Sequence, residues 1–352
     1  MPINMTQIKS NQGIRELARK LNLSIGTVSR SLNNRYGVNA QTKARVLEEA
    51  RRMGYVPNAA ARRLKEHPVL NVGLFFAPYD NPGHEINPYA TDLIQLITDK
   101  ASDENFRFEV IRFVDLPTVT TQLQEQQLDV ALTLGDFPEP FYSMLSEKNL
   151  PVINISKETD LPNQICIQTD GFQAYALAVQ YLAALGHTQI ALVNGPQKGG
   201  HFLQYAAAFD DAISEFHLTC LPGWKIELPP EKTNAQGARI ATLELLKQDT
   251  RPTAIVYGSD WLAMGGIKAI RESQLRVGED ISVVGHDNLP MTELLDPPLT
   301  TFDMHLEGQA RSIIRLITRL SDGQPLIDPD RPASVINITP NLVKRSSCRC
   351  IR

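Results

Sequence analysis

Residues 13–32 read GIRELARKLNLSIGTVSRSL, and the rest of the chain is interpreted from them. Ile14, Leu17, Ala18 and Leu21 recur at helical spacing. Asn22-Leu23-Ser24 breaks the pattern, and Ser24 is placed as the N-cap of a second short helix in which Val28 and Leu32 share a face. Two short helices about a tight turn are the layout of a helix-turn-helix, whose second helix must be held rigidly at an angle to enter a major groove. Gly26 costs about 1 kcal/mol inside a helix relative to Ala, a cost that fits a backbone approaching another surface. A helical hairpin inside a globular core is the competing reading, and the next thirty residues weaken it.

The chain has 352 residues, long enough for two or three domains with a sizeable core. Its net charge of −4 hides an asymmetry. Residues 1–67 hold 13 Lys and Arg against 4 Glu and no Asp, whereas the remainder is strongly acidic. A basic head on an acidic body suits a protein in which only the head approaches a polyanion. No apolar run is long enough for a membrane span and the N-terminus lacks an apolar signal core, so a cytoplasmic protein is expected. Cys166, Cys220, Cys348 and Cys350 are too scattered for a disulfide framework. Cys348-Arg349-Cys350 is a weak metal signal, and residues 346–352 are expected to form a free, disordered tail.

After Leu32, a polar turn leads to Asn39, which opens a third helix over residues 40–53 with Val46, Leu47 and Ala50 on its apolar face and Gly54 as its stop. Asn58 can cap a short Ala-rich helix that runs to Lys65 and is stopped by Pro68. That helix is too short to be stable alone in water, so it is expected to order on DNA or on its copy in a dimer.

Thr27-Val28-Ser29-Arg30, Asn33, Tyr55-Val56-Pro57-Asn58 and Leu64 resemble, in register, the DNA-binding head and hinge of the LacI/GalR family of bacterial transcriptional regulators. The resemblance implies that Ile25, Gly26, Thr27, Ser29, Arg30 and Asn33 lie at the major groove, and that Tyr55, Asn58, Ala61 and Leu64 serve the hinge. Arg30 would fork onto guanine, and Ser29, Asn33 and Thr42 would contact phosphates. Leu64 would wedge into a central base step of the minor groove. Ile25 and Gly26 stand where many members place polar base-reading side chains, which shifts discrimination toward Arg30 and groove shape.

From Val69 the texture becomes alternating strands and helices. Apolar strand runs at 69–76, 106–113, 129–134 and 151–155 alternate with helical segments, and a second such series begins near Asp170. Repeated βα units with continuous apolar strands imply parallel sheets covered on both faces. Two lobes in succession, with a ligand crevice between them, are expected. Leu185-Gly186-His187, Gly195-Pro196, Met264-Gly265, Val284-Gly285-His286-Asp287 and Pro297-Pro298-Leu299-Thr300-Thr301 resemble the same family's regulatory core, which is itself similar to type I periplasmic binding proteins. The expected architecture is an all-α helix-turn-helix head (1–57), a hinge helix and linker (58–68), and an α/β core of two Rossmann-like sub-domains (69–345), followed by the tail (346–352).

The resemblance places effector contacts on loops that follow the strands. Tyr79, Asp80 and Tyr89 are the candidates in the first lobe, and Asp170, Ser259, Asp260 and Asp287 in the second. Capping of the following helix is an equal alternative for Asp170 and Asp260. Many members carry an arginine where this chain has His201-Phe202-Leu203-Gln204-Tyr205, so Gln204 or Tyr205 would stand in for it as a neutral group. Trp261 either stacks on ligand or packs between sub-domains. His84, His187, His286 and His305 lack metal spacing and read as structural or hydrogen-bonding residues. Neither a metal nor a cofactor is expected.

No Walker, Rossmann glycine, HExxH or GxSxG motif is present. The expected function is a ligand-responsive repressor that binds a near-palindromic operator as a homodimer, with a sugar or sugar derivative as effector. A solute-binding protein and a sugar-modifying enzyme on the same α/β fold are the competing classes; the basic head argues against the first and the missing motifs against the second.

Overall fold

The computed structural model describes residues 16–24, 27–28, 31, 39–53, 69–76, 88–101, 106–125, 127–135, 137–155, 158–197, 200–327 and 334–351. It divides into two compact units, 1–68 and 69–352. In the first, Leu17, Ala18, Val28, Val46 and Ala50 form a small buried core flanked by Leu21, Leu23 and Met53. Ser24 caps as expected, accepting from Thr27 N at 3.0 Å. Asn39 does the same for helix α1 (Ala40–Arg52), accepting from Thr42 N at 2.7 Å. Ile14, Ile25, Gly26, Ser29, Arg30, Leu32, Asn33, Gly54, Tyr55, Asn58, Ala61 and Leu64 lie outside the described residues.

The second unit holds two parallel sheets. One has six strands in the order β11-β5-β4-β3-β1-β2: β1 (Leu70–Phe76), β2 (Phe106–Arg112), β3 (Val130–Leu134), β4 (Val152–Ile155), β5 (Gln164–Thr169) and β11 (Val335–Ile338). Side-chain alternation along β1 covers both faces. Val72, Leu74 and Phe76 pack with Leu93 and Ile97 of α2 (Pro88–Ala101), and Phe75 packs with Phe141 and Leu145 of α4 (Glu139–Glu147). α3 (Leu116–Glu125) joins α4 on that second face through Val119 and Leu123.

The other sheet has the order β7-β6-β8-β9: β6 (Ile190–Asn194), β7 (Lys225–Glu227), β8 (Ala254–Tyr257) and β9 (Ser282–Val284). α5 (Gly171–Ala184) and α6 (Gly200–Glu215) cover one face, and α7 (Ala235–Leu246) and α8 (Asp260–Glu272) cover the other. Trp224 is fully buried in the second of these layers and donates to Gln248 Oε1.

Two expectations are corrected. The lobes are not simply successive. After β9 the chain forms β10 (Thr301–Asp303) and then α9 (Leu306–Ser321), which returns to the first lobe. There Ala310, Ile313, Leu316 and Ile317 pack with Leu93 and Ile97, and β11 then pairs with β5. The apolar face of α9 has to be buried, and the open face of the first sheet is where it goes. The end of the chain is also packed rather than free. β12 (Asn341–Val343) pairs antiparallel with β10, and Ser347 is fully buried. The Ser347 hydroxyl donates to Val283 O at 2.6 Å and accepts from Thr300 N at 2.7 Å. Cys348 is half-buried with its Sγ against Val283 O, and burial pushes its thiol up to about 11.

Ser347 therefore satisfies two buried backbone groups from outside their own strands. Ser347→Ala leaves both unpaired and is expected to cost about 1–3 kcal/mol, read as a lower midpoint in urea unfolding.

Candidate functional site

The candidate site is built where the second sheet's strands end. Asn194 closes β6 and its Nδ2 donates to Phe202 O at 2.8 Å, which fixes the first turn of α6. Beyond β8, Ser259 is the N-cap of α8, accepting from Leu262 N at 3.1 Å. Asp170 is the N-cap of α5, accepting from Gln173 N at 2.9 Å. Both side chains thus serve the helices that follow them.

Asp260 is not the cap. Its carboxylate is fully buried, accepts from Leu289 N at 2.9 Å and Thr301 Oγ1 at 2.5 Å, and its own N–H donates to His286 O at 2.6 Å. It ties the end of β8 to the segment after β9. Gly285 makes this possible, since a Cβ there would lie 2.2 Å from Asp260 Oδ1. Burial raises the Asp260 carboxyl to about 6.

The next residues carry the site. Asp287 has φ 126° and Asn288 φ 57°, backbone regions that most side chains avoid. The turn is held from outside by Arg345, whose guanidinium donates to Asn288 Oδ1 and Leu299 O, both at 2.8 Å. Asp287 is 7 % exposed. Burial raises its carboxyl well above the usual range, and the nearby Asp260 and Asp92 add to the shift.

Around it stands a cluster of rings. Tyr205 stacks on Tyr175 at 4.4 Å, with planes 14° apart, and its hydroxyl lies 3.1 Å from His286 Nε2. His201 meets the Tyr205 ring edge-on at 5.2 Å. Gly171 admits this packing, because a Cβ there would fall 2.0 Å from the Tyr205 ring. Burial lowers His286 to about 3, with His201 contributing, and lowers His201 to about 4. Burial holds the Tyr205 phenol well above its usual range, with Asp287 and Tyr89 adding to the shift. With Tyr205 donating to Nε2, neutral His286 carries its proton on Nδ1.

Three buried polar atoms here have no hydrogen-bond partner among the described residues: Asn194 Oδ1, His286 Nδ1 and Asp287 Oδ2. Buried polar groups are nearly always paired, so such a grouping at strand ends marks a place for a ligand.

From the first lobe comes Tyr89, in the first turn of α2. It packs against the cores of both lobes, and its hydroxyl donates to Gln309 Oε1 at 2.9 Å. Gln309 in turn donates to Met304 O at 2.8 Å. Gln204 is exposed on α6, and Trp261 is half-buried beside Asp260. Tyr79, Asp80 and His84 lie outside the described residues. Asn194 and His286 were not singled out as site residues by the sequence reading. Their signal was a polar residue ending a continuous apolar strand run, as in IALVN and SVVGH.

In the head, Thr27 and Thr42 are half-buried in first helical turns, where N–H groups suit anions. Among the described residues no helix is long and apolar enough to cross a membrane.

Residues 13–58 match the family described as bacterial regulatory proteins, lacI family, and residues 179–348 match the periplasmic binding protein-like domain. The chain joins a LacI-family helix-turn-helix domain to a periplasmic binding protein-like domain. It is a DNA-binding regulator of transcription, which sets aside the enzyme and solute-binding classes. Among its relatives, the HTH-type transcriptional repressor PurR of Histophilus somni (strain 2336) is 26% identical over 346 residues, spanning 96% of this chain and 99% of that protein. The repressor of the same name from Edwardsiella ictaluri (strain 93-146) is 28% identical over 347 residues, spanning 95% and 96%. In fold, the chain is similar to a lac repressor dimer bound to operator and the anti-inducer ONPF, with TM-score 0.72 and 22% identity over 99% and 100% of the two chains. It is also similar to a transcriptional regulator CelR–cellobiose complex, with TM-score 0.69 and 21% identity over 95% and 99%.

The site's histidines set a pH dependence in this periplasmic binding protein-like core. His201 and His286 stay neutral when folded but have the ordinary pKa of about 6.5 when unfolded. Between pH 6.5 and 4 the unfolded chain therefore binds more protons, so their contribution is complete above pH 6.5 and is lost as pH falls toward 4. Asp260, raised to about 6, acts in the opposite sense, favouring the folded state at low pH. His286→Gln should give a shallower loss of urea midpoint than the parent protein between pH 6.5 and 4.

Proposed function

We propose that this chain is a repressor that binds a near-palindromic operator as a homodimer, and that a small polar effector in the cleft of the core alters its affinity for DNA. The observation that carries this reading is the trio of buried polar atoms without partners among the described residues, at the strand ends of a core joined to a helix-turn-helix head. A sugar or sugar derivative suits the mixture of hydrogen-bonding groups and rings, and a CelR–cellobiose complex shares the fold.

The assignments follow. Residues 1–57 bind DNA, residues 58–68 link and hinge, and the two-lobed core begins at 69. Ile25, Gly26, Thr27, Ser29, Arg30 and Asn33 lie at the major groove, Thr42 on phosphate, and Tyr55, Asn58, Ala61 and Leu64 at the hinge. Asp287 and Tyr205 hold the effector, with Tyr89 closing from the first lobe and Tyr79, Asp80, Gln204 and Trp261 at the rim. Asp170 and Ser259 position helices at its edge. The protein works in the cytoplasm, where its DNA is.

Effector binding acts by population shift: a ligand that prefers one arrangement of the core changes the fraction of molecules able to engage both half-sites. Dimerisation is supported by a groove of about 480 Å³ on the outer face of α8, lined by Met264, Ile267, Lys268, Arg271, Glu272 and Leu295. Beside it Leu294 is 87% exposed and Met291 37%, an apolar ridge that suits a self-complementary contact.

Fluorescence-anisotropy titration of the full chain against its own promoter tests the DNA reading. Affinity should fall steeply with added salt, and Arg30→Ala should cost about 1–3 kcal/mol on the specific site while leaving non-specific binding nearly unchanged. Binding that is weak and indifferent to salt would overturn it. Leu294→Lys places a charge on the ridge and should shift the protein from dimer to monomer in sedimentation velocity, with operator affinity falling in step.

A further inference from the structure

The electrostatics of the cleft restrict what can fill it. Asp287 Oδ2 is a buried carboxylate oxygen without a partner among the described residues. Among the described residues, the charges that act on Asp287 are those of Asp260 beside it and Asp92 on α2, both of its own sign. Asp92 belongs to the first lobe, so acid approaches the same space from both lobes. Arg345 acts on Asp260, but its guanidinium is occupied with Asn288 Oδ1 and Leu299 O. Neutral rings stand beside Asp287 among the described residues: Tyr205 and Tyr175, with His286 as the preceding residue.

A buried carboxylate flanked by like charges is stable only if it is protonated or meets a cation. A sugar hydroxyl suits the protonated form but leaves the charge of the ionised form uncompensated. A phosphate or carboxylate ligand would add repulsion. A metal ion is disfavoured, since among the described residues no three His, Cys, Asp or Glu side chains are placed to hold one. A protonated amine meets the requirement of the ionised form, because it supplies charge and three N–H donors, one of them for Asp287 Oδ2, and aromatic faces attract it further.

Resting on the effector-responsive regulator reading, we propose that the effector is a protonated amine, such as an amino sugar, whose cation is held by Asp287 Oδ2 and whose carbon frame lies against Tyr205. His286 Nδ1 and Asn194 Oδ1 then pair with hydroxyls of the same molecule. Asp92 completes the cation's surroundings when the lobes approach, which couples ligand charge to the arrangement of the core.

The test is isothermal titration of the full-length protein with matched probes. Glucosamine, galactosamine, mannosamine and putrescine are each compared with the N-acetyl form, and the three amino sugars also with the 6-phosphate. At least one amine should bind roughly 30-fold or more tighter than its acetylated and phosphorylated counterparts. That preference should vanish in Asp287→Asn and shrink several-fold in Asp92→Asn, a half-exposed position whose substitution leaves the second lobe's core untouched. The proposal is overturned if an acetylated or phosphorylated probe binds as tightly as its amine, if the preference survives both substitutions, or if none of the four amines binds. Operator titration of the same preparation separates the two readings. DNA binding without amine binding removes the ligand class and keeps the regulator, whereas amine binding without DNA binding does the reverse.

Discussion

The buried carboxylate of Asp260 is the constraint on which the second lobe's ligand face depends. Its two oxygens hold Leu289 N and Thr301 Oγ1, and its backbone N–H holds His286 O. Three segments far apart in sequence are thereby fixed at one point. The turn at Asp287 and Asn288 can keep its left-handed backbone because its neighbours on both sides are anchored, on one side by Asp260 and on the other by Arg345. An apolar residue at 260 would release those donors and the turn together. Full burial of a carboxylate is costly, and here it is met by the two hydrogen bonds its oxygens accept within one network.

The same network joins the site to the rest of the core. The segment that Asp260 anchors continues into β10, which pairs with β12, and then into α9, which crosses to the first lobe. Gln309 on α9 accepts from Tyr89 and donates to Met304 O and Thr169 Oγ1. A ligand seated between Asp287 and Tyr89 would therefore press on both ends of one continuous chain segment. This is a contiguous physical network between the cleft and the relation of the two lobes.

The end of the chain shows how local reading and tertiary packing diverge. Residues 346–352 are short, polar and basic, and nothing in their spacing suggests burial. They are ordered because β9 and the strand after it present backbone groups that their own sheet leaves unpaired, and Ser347 is the right size to serve both. That demand originates in residues sixty positions earlier. The return of α9 to the first lobe has the same character. Its amphipathic face is visible in the sequence, but the sheet that receives it is not.

The sequence by itself determined the helix-turn-helix, its caps at Ser24 and Asn39, the basic head on an acidic body, the parallel βα texture and the candidacy of Asp287. These are local properties: helical spacing, capping residues, charge distribution and a polar residue directly after an apolar strand. Only tertiary packing makes Asp260 an anchor, joins Tyr205 to His286 in a ring cluster, and leaves atoms of Asn194 and His286 without a partner among the described residues. Those outcomes depend on which strand ends become neighbours and how much water their packing excludes. Both are fixed by contacts between residues dozens to hundreds of positions apart, which no local pattern encodes.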